Sequence, residues 1–405
     1  MTHYTDRWLL PDGIEEILPD DAQSIEQLRR CLLNIYRLWG YQLVIPPLLE
    51  FIDSLLIGVG NDLDLLTVKV TDQLSGRTMG IRPDITPQAA RIDAHSLTRK
   101  GVSRLCYADY VVHAKPQSPQ AVRTPFYAGV ELFGEASLDA DIEVVSLLLQ
   151  SLNTTVDLAV TIDLGHVGIY RALVEAAGFN SVQEAELFEL LQAKAVTDIR
   201  TWVARQVADK EIAAWLLALP NLSGNRSVLK QALEQLANAP AKVLTAIDQL
   251  TAVADTISAR YPQANLYFDL SELRGYHYHT GIVFAAYVPG FGNAIANGGR
   301  YDSIGEAFGR SRPATGFSIN LTAIMPLLNK EETINGIYAP ATDDHEQWQV
   351  IQNLRRTGEM VVCGFSKKPP IVEECVGDRN FVCDRELVLE DGEYKIKPLA
   401  IGILR

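Results

Sequence analysis

Cysteine is scarce in this chain. Only five occur, Cys31, Cys106, Cys363, Cys375 and Cys383, and no CxxC pair is among them. An odd number at scattered spacings indicates neither a disulfide framework nor a zinc knuckle. Long apolar runs are also missing. Runs such as Val144–Leu149 fall far short of the roughly 18–20 residues that span a bilayer. The N-terminal MTHYTDRW has no basic stretch followed by an apolar one, so it does not read as a secretory signal. A soluble, cytoplasmic protein is expected. Positive charge is short too: 36 Lys and Arg face 50 Asp and Glu, a net charge of -14. Proteins that grip a nucleic-acid backbone normally offer a basic face. The basic stretch here, Leu354-Arg355-Arg356 with Lys367-Lys368 further on, is thin. No GxGxxG, Walker or GxSxG loop occurs, so nothing marks a dinucleotide, P-loop or serine-elbow site.

What the chain has is length and apolar content. At 405 residues and 47% hydrophobic it can form two or three packed domains. Asp20 and Asp21 open a helix whose apolar positions Ile25, Leu28, Leu32 and Ile35 recur at steps of three and four. Gly40 ends it, and a strand Tyr41–Ile45 stops at Pro46-Pro47. Leu66–Thr71 and Thr78–Ile81 read as a hairpin, and Gln88–His95 as a helix that Asp84 and Thr86 are placed to cap. Leu105–His113 and Phe126–Gly134 read as strands about a proline-broken loop, Lys115–Val122. Ser137–Leu152 is a helix, Val156–Leu164 a strand, and Val167–Ala177 a helix closed by Gly178. About residues 181–260, alanine, leucine and glutamine dominate, which predicts an all-helical insertion. Tyr267–Leu270 resumes the strands. Asn329–Gly336 reads as a hinge dividing a core, 1–328, from a small α/β module, 329–405. In that module Gly336–Ala339, Met360–Cys363, Phe381–Cys383, Leu387–Leu389 and Lys395–Leu399 are strands, and His345–Arg356 is a helix. Hairpin-linked strands with helices between them predict an α+β fold, a largely antiparallel sheet backed by helices.

Side chains able to hold a small polar ligand concentrate in Leu273–Asp302, LRGYHYHTGIVFAAYVPGFGNAIANGGRYD. An amino-acid pocket needs an acid for the ammonium, an arginine fork for the carboxylate and aromatic walls. Asp84, Glu131, Arg274 and Tyr278 supply these types. Each has a plainer reading. Asp84 and Thr86 serve equally as caps. A glutamate in an apolar strand, as Glu131 is, lies either on a wet face, the commoner case, or inside as a buried acceptor. Gly298-Gly299 before Arg300 reads as a tight turn with a salt-bridged arginine. His277 and His279 would share a strand face, but no further His or Cys is spaced to complete a metal site. His166 and His345 read as surface or helix-end residues.

Four motifs then occur in an order and rough spacing that resemble histidyl-tRNA synthetases. They are Arg82-Pro83-Asp84-Ile85-Thr86, Gly129-Val130-Glu131-Leu132-Phe133-Gly134, Leu273-Arg274-Gly275 with Tyr278 and Thr280-Gly281, and Gly298–Asp302. The likeness covers about residues 8–325 and is specific as a set. It implies the class II synthetase fold, with the helix and strand from Asp20 to Pro46 as the dimer-forming first motif. It also implies a histidine pocket of Asp84 (for the family's glutamate), Thr86, Tyr107, Tyr127, Glu131, Arg274, Tyr278 and His279. Tyr127 stands where the synthetases carry a glutamine, and His279 where they carry a tyrosine.

Departures from the motifs point away from catalysis. The second motif's Arg-His-Glu-Arg-Pro-Gln run is here Val112-His113-Ala114-Lys115-Pro116-Gln117. The third motif runs Gly316-Phe317-Ser318-Ile319-Asn320-Leu321-Thr322-Ala323. The nucleotide-binding arginines of both motifs are thus replaced, by Val112 and Ala323. A synthetase-like chain with a kept amino-acid pocket and a lost ATP site resembles the regulatory subunits of short-form ATP phosphoribosyltransferases. That resemblance implies no catalysis, no cofactor and no tRNA. It implies a separate catalytic subunit as partner, a dimer within a hetero-octamer, and feedback by histidine. The 329–405 module resembles a trimmed anticodon-binding domain. A synthetase with substitute residues and a stand-alone histidine sensor are the competing expectations.

Overall fold

In the computed structural model, residues 9–57, 61–116, 121–276, 278–328, 336–365 and 383–399 are described. They form two compact units, and the larger runs to Leu328. Its centre is a nine-stranded sheet. In chain order the strands are β1 (Gln42–Leu43), β2 (Ser103–Tyr110), β3 (Phe126–Phe133), β4 (Thr161–His166), β5 (Ser223–Gly224), β6 (Asn265–Asp269), β7 (Ile282–Tyr287), β8 (Ala296–Arg300) and β9 (Ala314–Asn320). Across the sheet they run β1-β2-β3-β9-β8-β7-β4-β6-β5. The β1/β2 and β4/β6 pairings are parallel, and the rest are antiparallel. Some strands fall short of expectation where their pairing ends. β1 keeps two residues, β2 stops at Tyr110 rather than His113, and β4 starts at Thr161.

The helix Pro19–Leu38 buries its predicted stripe, Ile25, Leu28, Leu32 and Ile35, in the main core. Each such side chain contributes roughly 1.5–3 kcal/mol through burial. Leu138–Thr155 and Val167–Ala177 bury faces in the same core, the second closed by Gly178 at φ 65. The 181–260 stretch is helical as its composition predicts, with Ser181–Gln192, Val196–Gln206, Lys210–Ala218, Ser227–Gln235 and Ala241–Arg260. It also adds β5 to the sheet edge. Val68–Thr71 and Thr78–Ile81 do form a hairpin, in a separate three-stranded sheet with Leu49–Phe51.

Three readings of the sequence need correction. The helix after Asp84 starts at Thr86, with Ile85 at its N-cap and no side-chain cap, and continues from Ile92 to Leu97 as a π-helix. Asp84 instead closes a local turn, accepting from the Thr86 amide at 3.0 Å. Gly298 and Gly299 lie inside β8, not in a turn. A Cβ on Gly298 would come within 2.4 Å of the Gly316 carbonyl, so close strand packing explains that glycine. Glu131 faces inward, 1% exposed, because β3 is covered on both faces.

The smaller unit has a four-stranded sheet of Gly336–Ala339, Val361–Cys363, Cys383–Glu390 and Glu393–Pro398, with the helix His345–Arg356. Residues 117–120 of the predicted loop, His277, the predicted hinge over 329–335 and the start of the Phe381–Cys383 strand lie outside the described residues. Among the described residues no helix is long and apolar enough to cross a membrane.

Candidate functional site

β2, β3, β8 and the turn after Pro83 converge on Glu131. Its Oε1 accepts from Thr86 Oγ1 at 2.8 Å and from Tyr107 OH at 3.2 Å, and its Oε2 accepts from Tyr301 OH. Hydroxyls alone cannot offset the loss of water around a buried carboxylate. Burial pushes the Glu131 carboxyl up to about 8, against the hydroxyls and with help from nearby Asp84. Burial thus favours its protonated form near neutral pH. Gly316 of β9 makes room for it, since a Cβ there would overlap its Oε2. Asp84 is also raised, first by burial. Burial and the Asp84 charge lift the neighbouring Tyr127 phenol to about 12.

Arg274 follows β6 in a tight turn. Its amide and Nη2 donate to Glu272 at 2.7 and 3.2 Å, Nη1 to Asn297 Oδ1 at 3.0 Å, and Nη2 to Tyr287 OH at 2.8 Å. These bonds fix the plane of the guanidinium, while 40% of the side chain stays exposed. Tyr278 stacks at a tilt on His279, with ring centroids 4.2 Å apart. His279 is buried, and burial brings its imidazole down to about 4. Its Nδ1 therefore carries the proton that it donates to the Arg300 carbonyl at 3.1 Å.

Two cavities meet at Arg274. One of about 20 Å³, bordered by Arg274, Tyr278, His279 and Gly298, has room for a single water. The other, about 610 Å³, is bordered by Tyr127, Arg274, Tyr287, Asn297, Asn320 and Ala323, among others. Asp84, Thr86, Tyr107 and Glu131 border neither. The eight predicted residues thus fall into a hydroxyl–carboxyl cluster around Glu131 and an open side around Arg274. Among the described residues lining the large cavity, Arg274 is the sole arginine or lysine. Ala323 is on that wall, and the Thr322 hydroxyl beside it accepts from the Phe126 amide at 3.0 Å. Val112 is not on it; its amide donates to the Arg82 carbonyl at 3.0 Å. Arg82 is structural: it holds Pro46 O, Tyr110 O and Asp109, each at 2.8 Å.

Sequence reading missed Tyr301, Glu272, Asn297 and Tyr287. Tyr301 belongs to the Gly298–Asp302 motif, and that motif was the one available signal. Tyr287 and Asn297 reach the site through the pairing of their strands, which no local pattern reports, and Glu272 reaches it through the turn two residues before Arg274. Among the described residues no group of three or more His, Cys, Asp or Glu is placed to hold a metal. Arg300 takes the salt-bridged role read from the sequence, against Asp141 at 2.8 Å. His166 is a helix-end residue, accepting from the Gly168 amide at 3.0 Å.

Comparison with known proteins gives consistent results. Residues 13–324 match the histidyl-tRNA synthetase family model, and residues 334–397 match that of the ATP phosphoribosyltransferase subunit HisZ C-terminal domain. The chain is 56% identical to an ATP phosphoribosyltransferase regulatory subunit of Teredinibacter turnerae, over 97% of this chain and 99% of that one. A protein of that name from Cellvibrio japonicus is 55% identical, over 98% of each chain. Among solved structures, an ATP phosphoribosyltransferase regulatory subunit/histidyl-tRNA synthetase from Bacillus halodurans superposes with a TM-score of 0.81 at 25% identity, covering 91% of this chain and 96% of that one. Histidyl-tRNA synthetase from Nostoc sp. PCC 7120 gives 0.79 at 17% identity, over 96% and 97%, a likeness of fold. The chain belongs to the family of ATP phosphoribosyltransferase regulatory subunits.

Proposed function

We propose that this subunit binds free histidine against Arg274 and passes that signal to a separate catalytic subunit of ATP phosphoribosyltransferase. The family places its role in histidine biosynthesis, as a regulatory rather than a catalytic chain. One observation carries the finer reading. The large cavity keeps an arginine suited to one carboxylate and no other lysine or arginine among its described lining residues. A triphosphate carries several charges to be neutralised. Losing one preorganised donor costs about 10²–10³ in rate, and the motif resemblance aligns Val112 and Ala323 with both synthetase arginines. Adenylation and tRNA charging do not fit such a site.

Histidine must bind the active and inhibited assemblies unequally, or it shifts nothing. The reading is therefore of a two-state assembly, a hetero-octamer containing dimers of this chain, whose balance the Arg274 pocket sets. Mixing with a short phosphoribosyltransferase catalytic chain should give a complex by mass photometry and raise its turnover. No complex and no activation would favour a stand-alone sensor. ATP–pyrophosphate exchange with histidine should be absent, and measurable exchange would restore the synthetase reading. Arg274→Ala should weaken histidine binding about tenfold or more in calorimetry, the worth of a hydrogen bond to a charged group. Unchanged affinity would move the site elsewhere.

A further inference from the structure

We propose that Lys194, in the helical insertion, is a positioning residue for Arg274, so that the insertion sets the strength of the ligand site. The inference rests on the reading that a histidine carboxylate meets Arg274. Lys194 lies between the helices Ser181–Gln192 and Val196–Gln206, in a left-handed turn at φ 50. Its Nζ donates to Asp269 Oδ2 at 2.5 Å and to Ser271 Oγ at 2.7 Å. Asp269 Oδ1 accepts from the Ser271 amide and hydroxyl at 2.9 and 2.8 Å. Next along the chain, Glu272 holds the amide and guanidinium of Arg274. The insertion grips this turn a second time, through the Ser223–Asp269 strand pair and a 3.0 Å bond from the Leu270 amide to the Leu222 carbonyl.

Charge makes the grip matter for binding. Asp163, Asp269 and Glu272 stand near Lys194 and Arg274, and Asp163 Oδ1 is buried without a partner. With Lys194 neutralising Asp269, Arg274 has Glu272 as its one hydrogen-bonded carboxylate among the described residues and can take another from a ligand. Without Lys194, uncompensated negative charge sits beside the ligand carboxylate and draws the guanidinium inward.

The test is histidine calorimetry on the full chain. Lys194→Ala should weaken binding about three- to tenfold, the range for residues that couple to a site without touching its ligand. Lys194→Arg should restore it, and so should adding Asp269→Asn to Lys194→Ala, which removes the unbalanced charge. Wild-type affinity in Lys194→Ala, or a double variant as weak as the single one, overturns the proposal. If Lys194→Ala does not fold, Asp269→Asn alone decides: affinity equal to or tighter than wild type supports the charge account, and weaker binding overturns it. Arg274→Ala separates the two levels. Weakened binding there with normal binding in Lys194→Ala sinks this inference alone, whereas normal binding in Arg274→Ala removes the histidine reading beneath it.

Discussion

Replacing Arg300 with alanine is expected to destabilise the larger unit by about 3–5 kcal/mol, the cost of breaking a buried ion pair from one side. Arg300 donates from Nε and Nη2 to Asp141 at 3.0 and 2.8 Å, and from Nη1 and Nη2 to the Glu135 and Ser137 carbonyls at 3.2 and 3.1 Å. It thereby ties β8 to the start of the helix Leu138–Thr155. Asp141 is 2% exposed, so the variant strands a carboxylate away from water. Burial already raises the Asp141 carboxyl even with Arg300 pulling it down. Without Arg300 its folded-state value rises further above the unfolded one, so the variant loses stability as pH rises. Urea denaturation followed by circular dichroism should therefore show a larger loss at pH 8 than at pH 5. Adding Asp141→Asn should recover part of it. A pH-independent loss below about 1 kcal/mol, the scale of an exposed pair, would show that the pair is solvated.

Glu131→Ala is expected to cost on the order of 3 kcal/mol, because the Thr86, Tyr107 and Tyr301 hydroxyls all lose their acceptor. Glu131→Gln keeps an acceptor and isolates the titration. The wild-type carboxyl titrates at about 8 when folded, against an ordinary value of 4.5. The folded state thus keeps a proton that the unfolded chain gives up, and stability falls as pH rises through that window. His279 opposes this below 6.5, since its folded value of about 4 removes stability as pH falls. Asp163, raised to about 7 chiefly by burial, adds to the fall with rising pH below that value. Between pH 6.5 and 8 Glu131 dominates among these groups and should remove about 2 kcal/mol. Glu131→Gln should flatten most of that slope. The same slope in both proteins would mean that Glu131 is ionised at neutral pH.

Much of the frame was legible in the chain. The stripe Ile25–Ile35, the Val167–Ala177 helix and the alanine-rich insertion were readable because helix periodicity is local. So was the Val68–Ile81 hairpin. The strand ends were not, because pairing partners decide where a ladder stops. β5 was invisible for the same reason: two residues become a strand only beside β6. For Glu131 the strand pattern left a wet face and a buried acceptor both open, and the inward face of β3 with three hydroxyls from distant segments decides for the buried acceptor.

By itself the sequence determined the residue types present: a carboxylate, hydroxyls and an arginine in one set of motifs, and neither Arg nor Lys at Val112 or Ala323. Residue identity is enough there, since a valine or alanine cannot neutralise a phosphate wherever it lies. Tertiary structure decided how those groups are used. It buried Glu131, which favours the protonated acid against the pull of three hydroxyls, left Arg274 on the wall of the large cavity, and set Lys194 against Asp269 across 75 residues of chain. Burial and long-range proximity fix protonation and access, and neither is written in the order of residues along a strand.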